Sequence, residues 1–83
     1  MNVRLDIPES VAASLRLPEA EVEVRLRTEL AIALYAQGIL PFGKASELAG
    51  VSRPEFANVI GQRGIPSHYS EAELKQDLEY ASR

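Results

Sequence analysis

The stretch FGKASELAGVSRPEF, Phe42 to Phe56, leaves the backbone little choice. Gly50 stands between two short runs of helical spacing, and glycine takes a left-handed turn without a steric penalty. Before it, Ala45, Ser46 and Ala49 offer small side chains where a second helix could approach closely. After it, Ser52 occupies an N-cap position, Pro54 fits a first turn, and Glu55 completes a capping box with the serine. Phe56, Val59 and Ile60 follow at helical spacing and must face inward. Two short helices joined at Gly50 and held at a steep angle by small residues describe a helix-turn-helix spanning Phe42 to Pro66.

The inward set leaves Arg53, Asn58 and Gln62 outward or lateral, with Arg63 beside the exit. Arginine can bond two guanine acceptors or a phosphate, and asparagine and glutamine can make bidentate contacts to adenine. Lys44 and Ser46 on the first helix are placed to reach backbone phosphates, and Ser52 opens the second. The expected DNA-contact set is therefore Lys44, Ser46, Ser52, Arg53, Asn58, Gln62 and Arg63. Glu55 is unwelcome near phosphates unless it reads a cytosine or only caps its helix. The competing reading is a helical hairpin used for protein contact, with these polar residues merely solvated.

Charge sharpens the choice. The chain carries a net charge of -3, which taken whole argues against phosphate binding. Residues 42–66 hold Lys44, Arg53 and Arg63 against Glu47 and Glu55, a surplus of one positive charge, while the segments on either side are acidic. One copy of the motif should bind DNA weakly, and doubling it in a homodimer is the obvious remedy.

Ahead of the motif, Val3, Leu5 and Ile7 alternate with Arg4 and Asp6, the period of a half-buried strand that Pro8 ends. Its backbone must pair with a later strand, another copy or another protein, so residues 1–8 read as a strand or dimerisation arm. Pro8, Glu9 and Ser10 open a short helical turn with Val11 and Leu15 on one side. Pro18 to Gln37 is the longest expected helix, stopped by Gly38, with Val22, Leu26, Leu30 and Leu34 joined by Ala33 and Ile32 on its core face. Glu21 with Arg25 and Glu23 with Arg27 add exposed pairs. Beyond the motif, Ile65 to Tyr69 could form a short second strand, and Ser70 caps an acidic helix over 70–83 whose stripe Leu74, Leu78 and Ala81 suits a partner's groove. The expected fold is one mainly α domain over 1–83, with a helix-turn-helix and one or two short β-strands.

Chemistry is sparse. Without cysteine there are no disulfides, thiolate metal sites or thiol catalysis, and the lone His68 lacks companions for a metal site. Ser67, His68 and Glu71 are neighbours on a loop rather than a converged triad, and Gly43-Lys44 lacks a glycine-rich phosphate cradle. Tyr35, Phe42, Phe56, Tyr69 and Tyr80 are scattered and read as core and rim. No catalytic residue, metal or cofactor is expected. No run reaches the length of a membrane span and MNVRLDIPE does not resemble a signal peptide, which makes the cytoplasm the default.

The segments ELAIALYAQGIL, FGKASELAGVSRPEF and IGQRGIPSHYSEAELKQDLE together resemble the small prokaryotic proteins of an uncharacterised "UPF" family, regarded as antitoxin-like and often encoded beside PIN-domain ribonucleases. The likeness covers nearly the whole chain and rests on the ELAxxLYxxG, GKAxELAGVSRxEF and RGIPxHY patterns, with Pro54 a departure where the family tends to have a large residue. It implies a DNA-binding antitoxin that represses its own operon and masks a toxin nuclease of the PIN-domain type. The alternative is an acidic protein-binding module without DNA-binding activity.

Overall fold

A computed structural model describes residues 1–67, and all regular structure within them is helical. The order is α1 (Glu9–Ser14), a single 3-10 turn (Glu19–Glu21), α2 (Val22–Ala36), α3 (Phe42–Ala49) and α4 (Arg53–Gln62). The acidic helix expected over 70–83, His68, and the stripe Leu74, Leu78 and Ala81 lie outside the described residues.

The three larger helices stop in the same way. Gly38, Gly50 and Gly64 all adopt positive φ. After α2, the amide of Gly38 donates to the Tyr35 carbonyl and that of Ile39 to Leu34. Gly50 to Glu47 with Val51 to Ser46 after α3, and Gly64 to Gly61 with Ile65 to Ile60 after α4, repeat the pattern. This paired closure satisfies carbonyls that a helix end otherwise leaves open, and it requires a left-handed residue at the junction. At Gly50, φ is +73° with no atom within 4 Å of where a Cβ would sit, so the glycine is dictated by backbone conformation and not by crowding.

The core is built from Ala31, Ile32 and Tyr35 of α2, Ala45 and Ala49 of α3, and Phe56 and Ile60 of α4. Three rings meet edge-on at its centre, with centroids 5.6 Å apart for Tyr35–Phe42, 6.0 Å for Tyr35–Phe56 and 5.4 Å for Phe42–Phe56. Such perpendicular contacts place the positive edge of one ring against the negative face of another. The buried Ser46 is accommodated because its hydroxyl donates to the Gly43 carbonyl at 2.8 Å.

Three expectations are corrected. First, neither Val3–Ile7 nor the described part of Ile65–Tyr69 forms a strand: Val3, Leu5 and Ile7 are exposed, and residues 1–7 make no backbone hydrogen bond among the described residues. A strand exists only where a neighbour completes its ladder, and the described residues supply none. Second, the buried face of α2 is Ala31, Ile32 and Tyr35, whereas Leu26 and Leu34 are half-buried and Leu30 and Ala33 exposed. α3 brings Ala45, Ser46 and Ala49 into the core, where Ala31 of α2 is also fully buried, a packing of small side chains that a row of leucines would not fit. Third, the helix expected from Pro18 opens as a 3-10 turn in which the Glu21 amide donates to the Pro18 carbonyl at 2.9 Å. Glu21 thus precedes the regular helix, and Arg25 pairs with Glu29 at 3.1 Å in its place, while the expected Glu23–Arg27 pair forms at 3.1 Å.

Candidate nucleic-acid interface

α3 and α4 are joined by Gly50, Val51 and Ser52, the short glycine-bearing turn of a helix-turn-helix. Ser52 caps α4 as expected: its hydroxyl accepts the Glu55 amide at 3.3 Å and donates to the Glu55 carboxylate at 3.2 Å. Glu55 is therefore folded back onto the helix start, where its charge suits the positive end of the dipole. Phe56 and Ile60 are fully buried and Val59 half-buried, which fixes the rotation of α4 about its axis.

That rotation divides the expected contact residues into two groups. Asn58 and Gln62, one turn apart, are both exposed and form a continuous polar edge on the face of α4 away from the core. Arg53 lies elsewhere: about 140° separates it from Asn58 around the helix, and its guanidinium crosses to the first turn of α3. A Cβ on Gly43 would stand 2.8 Å from Nη2 of Arg53, so the absence of a side chain there is what admits the arginine. Pro41 precedes α3 and offers no side-chain acceptor to its amides. Arg53, the positive end of α3 and nearby Lys44 make a cationic corner suited to a phosphate. Lys44 is paired with Glu47 at 3.1 Å, but both side chains are about two-thirds exposed or more (68% and 71%), and a pair of that kind is readily exchanged.

Two expected contacts do not reach this surface. Ser46 is 4% exposed and its hydroxyl is turned to the Gly43 carbonyl, so it is no phosphate ligand. Arg63 forms a two-pronged ion pair with Glu29 of α2, at 2.7 Å and 2.6 Å. The two residues are 34 positions apart, and sequence spacing carried no signal of the pair. Glu29 also accepts from Arg25 Nε at 3.1 Å. The Arg63 hydrogen bonds, assisted by Arg25 and opposed by partial burial, hold the Glu29 carboxyl down to about 2 from an ordinary 4.5. The same pairing raises Arg63.

A depressed carboxylate stabilises the fold above its unfolded pKa and loses that contribution as pH falls through its folded value. The Glu29 contribution is thus complete above about pH 4.5 and gone below about pH 2. Both side chains are more than a third exposed, so solvent screening keeps the effect modest. Glu29→Gln should lower the melting temperature slightly at pH 7, with the difference from wild type shrinking between pH 4.5 and 2. Thermal melts across that range check it; a difference constant with pH would refute it.

The comparisons with known proteins agree with one another. The model of the "Uncharacterised protein family (UPF0175)" matches residues 1–83. The chain belongs to the UPF0175 family. It is similar to a UPF0175 protein of Aeropyrum pernix, 47% identical over 82 residues that cover 99% of this chain and 88% of the relative. One from Archaeoglobus fulgidus is 36% identical over 93% of this chain and 86% of its own length. One from Synechocystis is 31% identical over 96% and 85%. No solved structure gives a significant match. Among the described residues of this UPF0175 chain, no helix is long and apolar enough to cross a membrane.

Proposed function

We propose that this UPF0175 chain is a sequence-specific DNA-binding regulator of antitoxin type, acting as a homodimer on the DNA upstream of its own gene. The observation that carries the reading is the division of the helix-turn-helix surface into an outward polar edge, Asn58 and Gln62, and a cationic corner where Arg53 crosses Gly43. The edge has the chemistry of base contact and the corner that of phosphate contact, the combination that separates specificity from affinity. The toxin half of the proposal, a PIN-domain-like ribonuclease masked by the acidic segment carrying Leu74, Leu78 and Ala81, rests on the family resemblance and on that segment's composition.

The two groups predict different losses. Arg53→Ala should weaken binding to every duplex alike and reduce the salt slope by about 1. Asn58→Ala should cost about 1–3 kcal/mol on the preferred site and relax the preference at one base pair. Titration of folded variants against upstream and random duplex at several salt concentrations separates them. Wild-type protein with no salt-sensitive preference for the upstream DNA would overturn the reading.

The protein-binding module remains the second reading, and the Glu29–Arg63 pair favours it by withdrawing one cation from an already weakly basic motif. It predicts that removing residues 70–83 abolishes co-purification with the product of the neighbouring gene, while DNA shows no preference.

A further inference from the structure

Among the described residues, large apolar side chains are left exposed almost entirely in the first thirty: Val3 at 73%, Leu5 at 66%, Ile7 at 43%, Val11 at 50%, Val24 at 63% and Leu30 at 36%. The fully buried residues described, by contrast, run from Ala31 to Ile60. The N-terminal third therefore carries apolar surface for which the described residues provide no cover, and residues 1–7 carry backbone groups without a backbone partner among them. Exposed apolar surface next to unpaired, alternating sequence is what a strand-pairing interface presents.

We propose that residues 3–7 of two copies pair as an antiparallel ribbon with Leu5 on the two-fold axis, joining the chain into a dimer. The register follows from the side chains. With Leu5 opposite the partner's Leu5, Val3 faces the partner's Ile7 and Arg4 faces the partner's Asp6, so one side of the ribbon is wholly apolar and the other carries two opposite-charge pairs. Centring on Arg4 or on Asp6 sets like charges against each other on the axis, and the Asp6 register also brings in Pro8, which has no amide to donate. A shift by one residue sets Leu5 opposite Arg4 or Asp6 and mixes apolar and polar side chains on each face. A parallel, in-register pairing stacks Arg4 on Arg4 and Asp6 on Asp6. The Leu5-centred antiparallel register pairs all five residues 3–7 and is complementary on both faces.

A lone two-stranded ribbon is marginal in water, and this one needs its apolar side backed. Val11, Val24 and Leu30 are the exposed apolar residues that remain in the same part of the chain to back it. The inference goes beyond the DNA reading and does not rest on it; its test contains no DNA.

The test is a charge swap read by sedimentation equilibrium on the full chain, with helicity confirmed by circular dichroism. Wild type should dimerise. Arg4→Asp and Asp6→Arg each turn two attractive pairs into two repulsive ones, and each should raise the dimer dissociation constant by about tenfold at low salt. The double variant Arg4→Asp/Asp6→Arg restores opposite charges across the ribbon and should recover most of the wild-type association. Leu5→Lys, which sets two ammonium groups on the axis, should leave monomer. A monomeric wild type, a dimer indifferent to the single swaps, or a double variant no better than the singles would overturn the proposal. A dimer indifferent to the swaps would overturn the ribbon and leave the DNA reading standing.

Discussion

Phe56→Ala should unfold a large part of the protein at ambient temperature. The ring is fully buried and packs edge-on against both Tyr35 and Phe42. Truncating a buried phenylalanine costs about 3–5 kcal/mol, the lost transfer energy plus the cavity left behind. A chain of 83 residues has a total stability of roughly 4–12 kcal/mol at typical values per residue. Among the described residues its core consists of seven side chains, three of them alanines, which points toward the lower end of that range. Urea titration followed by far-ultraviolet circular dichroism checks the result. Phe56→Leu, which keeps most of the volume, should lose much less, and equal losses for the two would show that the ring is not the central contact.

The second large effect should come from adding atoms. Ala45 on α3 is fully buried, as is Ala31 on α2. Replacing Ala45 by leucine forces the two helices apart or drives the new side chain off its rotamer, at about 1–3 kcal/mol or somewhat more. Ala33→Leu, on the exposed side of α2, is the control and should change stability little. Because α4 is seated on the α2–α3 pair, Ala45→Leu should also displace the Asn58–Gln62 edge and weaken any DNA binding beyond what lost stability explains. Denaturant midpoints for both variants, together with duplex binding at a temperature where each is folded, test both parts. An Ala45→Leu midpoint equal to wild type would remove close packing as the reason for the small residues.

What could be read from the sequence was what is decided within a few residues. Gly50, the Ser52 cap and the inward trio Phe56, Val59 and Ile60 act over one or two helical turns, and the structure places them as expected. The buried side of α2 was misjudged because the Val22–Leu34 row and the Ala31–Tyr35 row are both apolar, and only the approach of α3 selects between them. Val3–Ile7 forms no strand among the described residues, because alternation specifies what a segment could pair with, not that a partner stands beside it. Ser46 looked like a phosphate ligand by residue type, yet its position on the small-residue face buries it. Arg63 looked like a free cation until its pairing with Glu29 closed a distance of 34 residues. Gly43 was weighed only as part of a phosphate cradle and set aside, because nothing in its neighbours shows that a guanidinium from the next helix will lie across it.

Among the described residues the buried core is confined to Ala31–Ile60, and this has a consequence for how the molecule can change over time. Its packing joins residues close along the chain, a topology associated with rapid folding. The exposed apolar positions of the first thirty residues contribute nothing to that packing. Substitutions among the most exposed of them, Val3, Leu5 and Val24, should cost the buried cluster little, so on the proposed ribbon the choice of partner is free to drift while the helical core is held constant. If residues 3–7 pair as proposed, two copies of such a gene in one genome would part company through changes at Arg4, Leu5 and Asp6 alone, each recognising its own kind while keeping the same helical body.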